Sequence, residues 1–230
     1  MNPEANDPST PAASSGRKIL VWDLPTRGFH WLLVLLVTTS FITGKVGGLW
    51  MSYHLLSGYA ILGLILFRLI WGVAGGRYAR FSSFLRGPAA VLRYLRDLPR
   101  RDAPHYPGHN PLGGWSVAAM LLTLLIQAVS GLFASDDIFT EGPLYSWVSE
   151  STSAWLTRLH LLNQEIILVL VGVHVLAVLF YLIVKHDNLI GPMFSGMKHP
   201  ADGALPSANP VGRGALIAGL AAAAVYLLVR

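Results

Sequence analysis

The chain contains no cysteine. Disulfides, iron–sulfur clusters, zinc thiolate sites and the thioether attachment of a c-type haem are therefore excluded. Any metal must sit on histidine, methionine or carboxylate. Charge is scarce as well: 13% of residues are charged and 53% hydrophobic, whereas soluble domains carry about 25% charged residues. That balance belongs to a chain in lipid. No Gly-x-Gly-x-x-Gly follows a predicted strand and no phosphate-binding Gly-x-x-x-x-Gly-Lys-Ser/Thr occurs, which argues against a nucleotide or flavin domain. The net charge is +5, but the basic residues gather beside hydrophobic runs, where membrane topology accounts for them. Nucleic acid is not an expected partner.

What is present is a series of long apolar runs. A bilayer core of about 30 Å needs roughly 20 apolar residues to cross it. Four runs meet that length, at about residues 25–43, 52–73, 112–133 and 154–184. Pro25 is well placed to open the first helix. A fifth run, residues 215–229, rises only about 22 Å as a helix and reads as a short, mismatched span or as a helix lying against the bundle. Residues 1–18 are small, polar and Pro-rich; they read as a disordered tail with neither the basic region nor the cleavage site of a signal peptide. The expected organisation is this tail, a membrane domain over residues 19–200, and a linker with a C-terminal hydrophobic helix over residues 201–230.

Charge sets the expected orientation. The connection after the second span carries Arg77, Arg80, Arg86, Arg93, Arg96, Arg100 and Arg101 against Asp97 and Asp102. The connection after the third carries Asp136, Asp137, Glu141 and Glu150 and no basic residue. The first should be cytoplasmic and the second outside, which places the N-terminus in the cytoplasm. Within the basic connection, residues 88–98 put Ala89, Leu92 and Leu95 on one side and Arg93, Arg96 and Asp97 on the other, the pattern of a helix lying in the interface.

Ionisable residues inside spans are costly and point to function. His30 lies near the cytoplasmic end of the first span and His54 near the outer end of the second. His160 and His174 share the fourth, fourteen residues apart, about 40° short of four full turns and about 21 Å in rise. Depth pairs His30 with His174 and His54 with His160. Two levels with two imidazoles each are what bis-histidine b-haem ligation requires, and four-helix bundles build such sites from facing side chains. Gly58, Gly131 and Gly172 would let helices approach a flat ring. Arg68, fourteen residues beyond His54 on its face, stands where propionates of the cytoplasmic haem would lie; an arginine snorkelling to the interface fits the position equally well. His105, His109, His186 and His199 read as solvated or interfacial. Glu165 points away from His160 and reads as a hydrogen-bonding carboxylate facing the bundle. With Gln127 it is the polar group within the spans that would relay protons.

"WDLPTRGFHW" at the first span, "HLLSG" at the second, "SGLF" closing the third and the His-x13-His of the fourth resemble the prokaryotic dihaem cytochrome b561 family, which is related to the b-type subunits of membrane hydrogenases and formate dehydrogenases. The resemblance covers about residues 21–200. It implies an all-α integral membrane four-helix bundle with two b haems on His30, His54, His160 and His174, and electron transfer across the inner membrane. The tail and the fifth hydrophobic helix depart from the four-helix pattern. The partners the family implies are quinone, a periplasmic cytochrome c, a hydrogenase-type dehydrogenase or superoxide. From another class, the histidines would serve a proton-coupled transporter as a relay; that protein would be colourless.

Overall fold

The computed structural model describes residues 18–100, 106–199 and 204–230. Helix α1 (Leu24–Val46) starts where Asp23 accepts a hydrogen bond from the Thr26 amide at 2.8 Å and Pro25 occupies the first turn, satisfying an otherwise orphaned N–H. It ends at Gly47 (φ 68°) and Gly48 (φ 54°), a left-handed pair that only glycine adopts without strain. A one-turn 3₁₀ segment leads into α2 (Met51–Ala74). The same Asp23 carboxylate, almost fully buried, also accepts from Trp71 Nε1 at 3.3 Å and the Gly76 amide at 3.1 Å. One side chain thus caps α1 and ties it to the far end of α2.

The basic connection holds α3 (Phe81–Phe84) and α4 (Pro88–Asp97). Helix α4 leaves Leu92 and Leu95 exposed and turns Tyr94 inward, where its hydroxyl meets that of Tyr181. Its apolar stripe therefore faces outward, as an interfacial helix requires. Asn110 caps α5 (Pro111–Gly131) by accepting from the Gly113 amide at 2.7 Å. Helix α6 (Glu150–Ile183), capped by Ser149, is 34 residues long. It starts four residues before the sequence expectation because the acidic connection is folded against it. Leu132 and Leu144 are buried, the Ser153 hydroxyl donates to the Phe133 carbonyl at 2.7 Å, and Asp136 accepts from the amides of Ile138, Phe139 and Thr140.

After α6, α7 (Ile190–Ser195) leads to a strand, β2 (Met197–Lys198), that pairs antiparallel with β1 (Ile19–Leu20). The sequence patterns did not announce this clasp, since two-residue strands have no periodicity to read. The fifth hydrophobic stretch forms α8 (Val211–Val229), 19 residues rather than the expected fifteen. At about 28 Å it is no longer short. Among the described residues, five helices are long and apolar enough to cross a membrane.

Helix α1 packs along α2, α5 along α6, and α2 joins the pairs through α5. Helix α8 lies on α2, where Ile217 and Ala221 close over Phe67 and the wholly buried Trp71. Gly214 lets it come close: a Cβ there would stand 2.6 Å from Pro25. Small residues at such contacts are how helices associate in lipid, where hydrophobicity gives no drive. Helix α6 leans on α5 and makes little contact with α1 or α2 among the described residues. The histidines face one another across that gap.

Candidate haem-binding site

At the acidic end, His54 on α2 and His160 on α6 have ring centroids 6.1 Å apart. Each imidazole is held from behind by the preceding helix. His54 Nδ1 donates to the Ser40 carbonyl at 2.8 Å, with Ser40 Oγ at 3.2 Å. His160 Nδ1 donates to the Gln127 carbonyl at 2.9 Å, with Ser130 Oγ at 3.3 Å. A histidine that gives its Nδ1 proton to a carbonyl is fixed in the tautomer whose Nε2 lone pair is free for a metal. The two halves of the bundle therefore repeat one arrangement.

Glycines make room for it. A Cβ on Gly44 would lie 2.8 Å from His54 Nδ1, and one on Gly131 would lie 2.9 Å from His160 Cε1. Gly131 thus seats an imidazole. Gly58 and Gly172, by contrast, have nothing within 4 Å of an added Cβ and border open space. Gly44 was missed by the sequence reading, although it precedes the His54 helix much as Gly131 precedes the His160 helix. Asn163 was missed too. It is buried beside His160 and donates to the Thr123 carbonyl and to Gln127 Oε1, both at 2.8 Å. A lone asparagine one turn past a span histidine was the available signal.

At the basic end, His30 on α1 and His174 on α6 have ring centroids 6.5 Å apart. His30 Nδ1 is buried and has no hydrogen-bond partner among the described residues. Arg68 is 2% exposed, its guanidinium lies over the Phe81 ring at 4.9 Å, and its Nη1 has no partner among the described residues.

Two expectations are corrected here. His109 is half-buried and not solvated: its ring sits between Trp22 and Phe84, at 4.8 and 4.7 Å between centroids, and its Nδ1 is shut from solvent without a partner among the described residues. Burial lowers it to about 3, and the Arg68 guanidinium acts in the same direction, so it is neutral at pH 7. Glu165 does not face the bundle; it is exposed on α6 and accepts from Gln164 Nε2 at 3.1 Å. Because α6 packs chiefly on α5, most of its circumference is open. His186 and His199 are exposed, while His105 falls outside the described residues.

The two pairs fit axial ligation. A metal between two imidazoles needs about 2 Å for each metal–nitrogen bond and a little over 1 Å from nitrogen to ring centre, so about 6 Å between centroids. Among the described residues, no group of three or more histidine or carboxylate side chains could hold a metal. Two imidazoles are too few for a structural zinc site but suffice for the axial positions of a porphyrin.

Comparison with known proteins bears on the chain as a whole. The family model described as prokaryotic cytochrome b561 matches residues 21–196. The chain is similar to a probable Ni/Fe-hydrogenase B-type cytochrome subunit of Cupriavidus necator, 25% identical over 229 residues, covering 81% of this chain and 91% of that one. A probable Ni/Fe-hydrogenase 1 B-type cytochrome subunit of Escherichia coli is 25% identical over 211 residues, covering 77% and 89%. No solved structure matches.

Proposed function

The chain belongs to the prokaryotic cytochrome b561 family, and from that premise we propose that it carries electrons across the bacterial inner membrane on two b haems. His30 and His174 hold one haem and His54 and His160 the other. When bound, each haem supplies a one-electron iron couple whose potential is set by axial ligands, burial and nearby charge. The carrying observation is the pair of facing imidazole sets, 6.5 and 6.1 Å between centroids, at the two ends of one gap.

The residues divide the work. The Ser40 and Gln127 carbonyls fix the tautomer of the acidic-end ligands, and Gly44 and Gly131 seat their rings. Asn163 locks Gln127 in turn. Gly58 and Gly172 leave space beside the ligand helices. The electron-exchanging partners we assign are a quinone on one side and a redox protein on the other. A Ni/Fe hydrogenase is the redox protein best supported, because the relatives are cytochrome subunits of one. A periplasmic cytochrome c would occupy the same role.

Ligand variants test the assignment. His174→Ala should remove one haem per chain and leave the acidic-end haem bound, and His160→Ala should leave the basic-end haem. Retention of two haems in either variant refutes the pairing.

A further inference from the structure

Among the described residues, the basic end of the haem gap holds a cation with no carboxylate at ion-pair distance. That cation is Arg68, 2% exposed. Asp23, the nearby acid, has both oxygens engaged: Oδ1 with the Thr26 amide and Trp71, Oδ2 with the Gly76 amide. A buried charge left this way is strongly unfavourable unless an opposite charge joins it.

Beside it is a second unsatisfied group. His109 Nδ1 is buried and unpartnered among the described residues, and His109 lies near enough to Arg68, His174 and His30 for each to act on its charge. The short helix α3 presents both groups. Phe81 carries the Arg68 guanidinium, Phe84 packs on the His109 ring, and the two phenylalanines meet edge to face at 5.8 Å. Trp22 closes His109 from the other side.

Resting on the function proposed above, we infer that Arg68 and His109 together form a receptor for a carboxylate, a propionate of the haem held by His30 and His174. Arginine supplies the charge and a hydrogen-bond fork; the imidazole supplies a neutral donor. Helix α3 acts as the bracket that aims both. The acidic-end pair shows no such orphaned cation among the described residues.

The test uses the full-length protein in detergent with both haems loaded, each assigned from the single-haem ligand variants. His109→Phe should keep the acidic-end haem and lower the midpoint potential of the basic-end haem, because a propionate with less compensation favours ferric iron. Arg68→Gln should lower it further or empty that site. His109→Gln, which keeps an N–H donor, should restore the potential, and the propionate bending band in resonance Raman should move with each change. The acidic-end haem serves as the internal control for folding. Unchanged potentials and Raman bands in His109→Phe and Arg68→Gln overturn the receptor. So does loss of the basic-end haem in His109→Phe that His109→Gln fails to rescue. A wild-type protein without haem overturns the functional proposal itself, so the two failures are told apart.

Discussion

At the scale of single residues, the site depends on side chains that hold other side chains. Gly131→Ala would place a methyl group 2.9 Å from the His160 ring, tighter than real contacts allow. The expected outcome is a several-fold loss of haem at the acidic end with the other haem retained, read by haemochrome assay of the purified variant. Asn163→Leu removes two hydrogen bonds and strands the Gln127 Oε1 acceptor. A loss of about 1–3 kcal/mol is expected, measurable as a lower thermal or detergent unfolding midpoint. Four histidines stood out by depth and spacing because imidazoles are rare in apolar runs, and the structure brings their rings together as the two pairs that depth gave. His109 was not, for its sequence neighbours are polar and its burial is created by Trp22 and α3, which are distant in sequence or structurally slight. Glu165 was misread for a related reason: a polar residue in a span was assumed to seek protein, whereas α6 has little protein around it.

At the scale of elements, periodicity located the long helices within a few residues, and the differences arise where tertiary contacts extend them. Helix α8 gains its first turn beyond the apolar run, where Arg213 donates to the Ala74 carbonyl at 2.9 Å. Neither His54 nor Arg68 belongs to the clusters that α8 completes on α2. Ending the chain after Pro210 should therefore leave haem content unchanged while lowering the unfolding midpoint by several degrees in a thermal melt. The acidic connection is held by amide donors on Asp136, chiefly from Thr140 and then Ile138, which depress its carboxyl to about 2 from an ordinary 3.8. With the folded value depressed, the ordering is complete above the ordinary value and is lost as pH falls through about 2. Amide shifts of residues 138–140 should be constant from pH 7 to 4 and move together as pH falls below about 3.

At the scale of the whole molecule, the charge asymmetry of the two connections predicts a definite orientation, and the absence of cysteine makes it directly measurable. A cysteine introduced at Asp137 should react with an impermeant maleimide added to intact cells. One at Ser82, in the basic connection, should react only after lysis. The reverse pattern would invert the molecule in the membrane.

The central claim is that this bundle holds two b haems, and it stands on one measurement: a dithionite-reduced minus oxidised spectrum of the purified wild-type chain with a pyridine haemochrome count. The account predicts b-type absorption and two haems per chain. A colourless protein after expression with ample haem would contradict it and return the four histidines to a proton relay.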